Sequence, residues 1–308
     1  MENTIATRVE AGSFFDLGRK DPALIRLRET DCEQALPFAL MERLVKSGVP
    51  YAEHSRSLTS ETVDVAGARI HWFSAELPES IAREISLADY EIVPHTDERR
   101  TALTAALERL ASVHPDGFAQ LREFVRALLW VGLKPGVRAS SLTSSSDPAL
   151  PYVITFSEKA RHHIPPNTVS EEPSPLFLAE NLLHEAVHQS VSFHVLQHQV
   201  FADEYSSKTS PRIEIAWRAA QGVPRNQFWE VDRAFHATCV YNQLLRFRRI
   251  ELDRDDLNAN ERASIRAAYD EGMSAVRYLM GRLELLREHF TRHGQELLAD
   301  LRHRTDEL

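Results

Sequence analysis

Apolar residues in this chain recur mostly at helical spacing, and strand-like alternation is confined to a few short stretches. Thr96-Asp97 reads as a cap for TALTAALERLASVH, and Asp116 as the start of a second helix through GFAQLREFVRALLWVGL. Pro22 to Val49 reads as one or two helices divided at Pro37. Asn258 to Leu308 reads as long and helical, with Ile265, Tyr269, Met273, Val276, Met280, Leu283 and Leu286 at core spacing and a break at His293-Gly294. Strand signals are few: ETVDVAGARIHWFSAEL (61–77) around an Ala66-Gly67 turn, EIVPH, and YVITFS (152–157). Residues 140–150 and 160–175 read as loops, the second carrying His162 and His163. There is no internal repeat. The pattern predicts a mostly α fold with a small β-sheet.

One apolar stretch, PLFLAENLLHEAVHQSVSF (175–193), carries polar residues that a buried helix does not need. No Gly or Pro interrupts the chain between Leu176 and Tyr205. His184 and His188 are four residues apart, so a helix sets both imidazoles on one face, one turn apart. Two such nitrogens can hold one transition metal, with Glu185 beside them as ligand, second contact or base. Two histidines and a glutamate facing a core are costly unless a metal or hydrogen bonds compensate. The helical core is therefore expected to carry a metal site.

Such a site needs a third ligand. In the pattern HExxHxxGxxH it would be His194, but the glycine that turns the chain back is Val191 here. If the helix continues, ten steps of about 100° leave His194 roughly 80° from His184 and three turns along. A glutamate about twenty residues on is the second solution, yet Ser207 and Lys208 stand there, with Glu204 and Glu214 out of step. The third is a histidine on a later helix. FWEVDRAFHATCVYNQLLRF (228–247) reads as such a helix, and His236 sits at its centre.

The stretch from Ser140 to Leu245 resembles the HExxH-type 2-oxoglutarate-dependent peptide β-hydroxylases, also described as peptide-modification proteins. The resemblance covers about a third of the chain and rests on features in order. These are the Ser-rich turn SSLTSSSDPALP (140–151), the strand YVITFS, and the HEAVH helix preceded by Leu-Ala-Glu-Asn and followed by Gln189. After them come the pair Trp217-Arg218, the helix with one central histidine, and then Arg246 and Arg248-Arg249. Where the family often has Gly-Val-Leu-His-Gly, this chain has Arg233-Ala234-Phe235-His236-Ala237.

The resemblance implies an Fe(II) centre held by His184, His188 and His236, with open positions for 2-oxoglutarate and O2. It implies oxidative decarboxylation of 2-oxoglutarate to succinate, coupled to hydroxylation of the β-carbon of an amino-acid side chain in a peptide or amino-acid-derived substrate. Non-haem iron oxygenases usually use two histidines and a carboxylate, so Glu185 stays open as a ligand or as a neighbour that orients one. The 2-oxoglutarate dianion needs a cation, and a guanidinium forks onto carboxylates. Arg218 is the first candidate, Arg225 and Arg233 the alternatives, with Trp217 as a pocket wall or plain core. On this reading residues 1–95 form an N-terminal helical and β region. Residues 96–308 form the mainly helical metal-binding catalytic region, unless the two make one continuous domain.

Composition narrows the classes. A formal net charge of −9 and a pI of about 5.9 argue against nonspecific nucleic-acid binding. The two cysteines, Cys32 and Cys239, form no CxxC pair, so no disulfide framework or zinc ribbon is indicated. The N-terminal MENTIATRVEAG lacks a signal-peptide profile, and no apolar run has the length of a membrane span. A cytoplasmic enzyme is expected. YVITFS is a candidate edge strand onto which an extended peptide could add. Two other classes stay open: a zinc metallopeptidase using Glu185 as general base, and a helical partner-binding protein in which HEAVH is coincidental.

Overall fold

A computed structural model of the chain describes residues 60–73, 87–137, 142–147, 152–219 and 227–308. The helices expected from Pro22 to Val49, the end of the 61–77 stretch and Cys32 lie outside these residues. The described chain begins with a hairpin, β1 (Ser60–Val65) and β2 (Ala68–Phe73), paired antiparallel. Ala66 and Gly67 form its turn at φ of 49° and 78°, the two positive values that a two-residue turn of this hand requires. A short strand β3 (Tyr90–Ile92) precedes helix α1 (Asp97–Val113), which Thr96 caps by accepting from the Arg99 N–H at 3.3 Å.

Helix α2 (Pro115–Phe124) begins on its proline, and here the structure corrects the sequence reading. The helix does not run through to Leu133. It ends at Phe124, and ALLWVGL becomes strand β4 (Ala127–Leu133). A continuous apolar run of this length suits a helix or a strand buried on both faces. β4 is the latter, with its first five residues buried. Strand β5 (Ser144–Ser146) and strand β6 (Val153–Ser157) follow. The sheet order is β1-β2-β4-β6-β5, with β3 pairing on β4 beyond β2. β2, β4 and β6 are parallel. YVITFS is thus an interior strand, and the end of the sheet is β5, from a segment expected to be loop. Strands from either side of residue 95 share this sheet.

Successive residues of these strands face opposite ways. Ile70, Trp72, Leu128, Trp130, Ile154 and Phe156 join the main core beneath the helices, where the rings of Trp72 and Trp130 lie 5.5 Å apart. Phe73, Ala127, Leu129, Val131 and Val153 make a smaller cluster on the other face with Leu87.

A short ladder of β7 (His163–Ile164) and β8 (Thr168–Val169) leads into helix α3 (Pro175–Gln197), capped by Ser174. α3 packs against α1 and α2 and against a later helix, which explains why its apolar residues are not confined to one stripe. Strand β9 (Arg212–Glu214), the one-turn helix α4 (Ala216–Ala219) and strand β10 (Phe228–Glu230) follow, with β9 and β10 paired. Helix α5 (Val231–Leu252) therefore starts three residues later than expected, because Phe228–Glu230 is held as a strand. Helix α6 (Ala259–Glu284) opens with a capping box between Asn258 and Glu261. Helix α7 (Arg292–Asp306) starts from a Thr291 cap, so the break falls between Glu284 and Arg292, and His293-Gly294 lie inside its first turn. The fold is mostly α with a small mixed sheet. Among the described residues, no helix is long and apolar enough to cross a membrane.

Candidate metal centre

α3 and α5 pack directly on one another, and this contact brings three histidines together. The rings of His184 and His188, one turn apart on α3, have centroids 4.8 Å apart. The ring of His236 on α5 lies 6.0 Å from that of His188 and nearly parallel to it, at 20°. Two imidazoles sharing one ion through bonds of about 2.1 Å have centroids about 5 Å apart. The α3 pair meets that spacing, and His236 stands about 1 Å wide of it. Among the described residues no three side chains of the metal-binding types are drawn into a closed coordination group.

The electrostatics suit donor nitrogens. Burial lowers the His184 imidazole to about 3, with Arg248 and His163 adding to the effect. Burial, with His184, His236 and Arg233, holds His188 well below its ordinary value. His236 is lowered to about 4 by burial, partly opposed by Asp232. All three are neutral at neutral pH, the state a metal ion needs. His184 Nδ1 is buried with no hydrogen-bond partner, a state that costs free energy unless something else binds it. In donor type and charge the residues fit a transition-metal ion.

Glu185 is almost fully buried beside them, its Oε1 3.7 Å from His184 Nε2. Burial raises its carboxyl to about 7, against hydrogen bonds from the Ser144 and Ser146 side chains. Those serines are alternate residues of β5, so they face one way onto α3. Asn181, one turn before Glu185, ties the same region together. Its amide nitrogen lies 2.9–3.0 Å from the carbonyl oxygens of Ala160, His163 and Phe177, and its Oδ1 lies 3.2 Å from the Ser144 hydroxyl oxygen. Gln189, one turn after Glu185 on the same face, fastens the helix to the sheet. Its Nε2 donates to Val153 O at 3.1 Å, and its Oε1 accepts from the Tyr152 N–H at 3.3 Å.

The remaining expected residues are spread out. Helix α3 continues unbroken past Val191, so His194 points away from His184 and His188 and meets His198 and His293. Trp217 stands edge-on among Trp229, Tyr241 and Tyr278, at 6.0, 6.3 and 6.0 Å. Arg218 belongs to α4, its side chain outside the described set, and Arg225 lies outside the described residues. Arg233, one turn before His236, lies 5.1 Å over the Trp229 ring, and its charge acts on His188. His163 sits in β7, its Nδ1 3.2 Å from Thr143 Oγ1, and its charge acts on His184. Cys239 is fully buried.

Sequence reasoning quoted the segments that hold Ser144, Ser146, Glu180, Asn181 and Arg248 as marks of the resemblance but gave these residues no role, and it did not foresee the Glu180–Arg248 ion pair beneath the site. The i, i+2 serines were the one signal available for the first two. Compared with known proteins, the chain matches no protein-family description and no curated protein.

Proposed function

We propose that this protein is an Fe(II)- and 2-oxoglutarate-dependent oxygenase that hydroxylates the β-carbon of an amino-acid side chain in a peptide or amino-acid-derived substrate. The observation that carries the reading is the meeting of three neutral imidazoles from α3 and α5, with the His184 side chain still 19% exposed. His184, His188 and His236 would hold the iron. When bound, Fe(II) would supply activation of O2 coupled to the decarboxylation of 2-oxoglutarate to succinate.

The chain's own residues do the positioning. The neutral imidazoles offer lone pairs without first releasing protons. Ser144 and Ser146 hold the Glu185 carboxyl against α3, where it orients His184 or a water. Arg233 brings a positive charge to the His188 side and suits a dicarboxylate, as Arg218 and Arg225 would by residue type. The reading takes no nucleic acid and places the enzyme in the cytoplasm, where iron stays ferrous.

The second reading, a zinc metallopeptidase, is favoured by one observation: a carboxyl raised to about 7 beside a histidine is poised to take a proton from water. One experiment separates them. Metal-free protein is loaded anaerobically with Fe(II) or Zn(II) and given candidate peptides, with and without 2-oxoglutarate and O2. Succinate and a one-oxygen mass gain that require all three of Fe(II), 2-oxoglutarate and O2 support the oxygenase. Zinc-dependent peptide cleavage indifferent to 2-oxoglutarate overturns it.

A further inference from the structure

A second histidine trio lies at the far end of α3. His194 is in the last turn, His198 caps the helix, and His293 is the second residue of α7. The ring centroids are 4.5 Å (His194–His198), 5.2 Å (His194–His293) and 5.6 Å (His198–His293) apart. All three bracket the roughly 5 Å expected of imidazoles on one ion, more evenly than the first trio does. Nε2 of His194 and Nε2 of His293 are 2.9 Å apart. A hydrogen bond between two rings accounts for that one distance. A metal ion would account for all three rings gathering within 5.6 Å of one another.

We propose that His194, His198 and His293 form a second metal site for a zinc-class divalent ion, structural in role and separate from the first. Helical rise puts His194 about 9 Å beyond His188 along the axis. Three imidazole nitrogens select Zn(II), Cu(II) or Ni(II) over the oxygen-seeking Mg(II) and Ca(II). Water would take the fourth position. Glu296, one turn further along α7, is close enough for its charge to act on His293, and it is ion-paired with Arg292 at 3.0 Å. His198 and His293 are half-buried, so an ion can enter from solvent.

The backbone prearranges the trio. The Thr291 N–H donates to Val200 O at 3.0 Å, and its hydroxyl donates to Gln199 O at 2.5 Å. The Ala202 N–H donates to His289 O at 3.0 Å, and Phe201 and Phe290 form a β-bridge between these bonds. Gly294 completes the clamp, because a Cβ there would lie 2.2 Å from Val200 O. The two segments bearing His198 and His293 are therefore held side by side by contacts that need no metal, which lowers the ordering cost of binding one. The ion would staple the end of α3 to the C-terminal helix.

The test titrates chelator-stripped full-length protein with Zn(II) against a chromogenic competitor. It compares wild type, His293→Gln, His198→Gln and His236→Ala. Wild type is expected to take up one equivalent more than either His293→Gln or His198→Gln, and His236→Ala is expected to keep that equivalent. Zinc should raise the melting temperature of His236→Ala and leave that of His236→Ala/His293→Gln unmoved. Circular dichroism checks that the variants fold, and the two glutamine variants test the trio independently. Equal zinc uptake by wild type and both glutamine variants would overturn the proposal, leaving a proton shared between rings.

Discussion

Arg248 on α5 and Glu180 on α3 form an ion pair in which neither side chain reaches solvent, with Arg248 Nε donating to Glu180 Oε2 at 3.0 Å. The guanidinium also donates from Nη1 to Ala268 O on α6 at 2.7 Å, and from Nη2 to Glu180 Oε1 and Pro165 O. One side chain thus joins both histidine-bearing helices, a third helix and the loop before α3. Glu180 lies one turn before His184, so the pair sets how α3 and α5 meet.

Removing one partner leaves the other charge buried and unmatched. Glu180→Ala is expected to cost about 3–5 kcal/mol in denaturant unfolding of the metal-free protein. Replacing both partners with apolar residues, as Glu180→Leu with Arg248→Met, is expected to cost less than either single change. A double variant as unstable as the sum of the singles would mean that the pair does not act as a unit.

The histidine geometry sets a second expectation. His236→Ala should lower succinate formation by at least about a hundredfold, the upper range for disturbing a metal's surroundings. His194→Ala should leave it within a few fold, because that ring faces His198 and His293. The readout is turnover at saturating Fe(II), which the second trio does not enter. Loss of turnover in His194→Ala with retention in His236→Ala would reverse the ligand assignment.

The parts of this fold legible in the sequence were those set by local rules. The Ala66-Gly67 hairpin, the Thr96 cap and the Asn258 start of α6 all stand where turn and cap residues put them. So does the continuation of α3 past Val191, since nothing in its sequence ends a helix there. What was not legible depended on partners distant in sequence. ALLWVGL is a strand because β2 and β6 flank it, and its apolar run carries no alternation to say so. Three serines at 144–146 form the end strand only because β6 lies beside them. The meeting of His194, His198 and His293 needs α7 folded back on α3, across almost a hundred residues, and no spacing rule reaches that far.

Acid stability offers a third test, at His114. This imidazole is 6% exposed, and its Nε2 lies 3.3 Å from Gln243 Oε1. Burial lowers its pKa from 6.5, against the Gln243 hydrogen bond. The unfolded chain therefore takes a proton first. The histidine's contribution is full above about pH 6.5 and is lost as pH falls from there through the lowered folded value. His184, lowered to about 3, and His236, lowered to about 4, act in the same sense. Glu185, raised to about 7, acts in the opposite sense between its unfolded value and 7. A single substitution isolates one group. Between pH 6.5 and 5, His114→Gln should flatten the dependence of unfolding free energy on pH by up to about 1.4 kcal/mol per pH unit. An unchanged slope would mean that His114 titrates alike in both states.

Glu185 gives the sharpest division between the two proposed chemistries. Its carboxyl accepts hydrogen bonds from Ser144 and Ser146 and lies 3.7 Å from His184 Nε2. A glutamine keeps the shape and an oxygen to accept those bonds, and it loses the ability to take a proton. In a peptidase that proton comes from the attacking water, so Glu185→Gln should remove nearly all cleavage while metal content survives. In an oxygenase the oxidant comes from O2 and 2-oxoglutarate, and no base is needed to activate water. Glu185→Gln should then retain measurable succinate formation, reduced by about 10–100-fold if the carboxylate orients His184. If the carboxylate is itself a ligand, iron content should fall in step with turnover. Succinate, one-oxygen mass gain and iron content read on the same sample separate these cases. If wild type makes succinate and the variant, with full iron content, makes none, proton transfer at this carboxyl is essential and its role as an orienting group falls; zinc-dependent cleavage lost in the variant while metal content survives overturns the oxygenase.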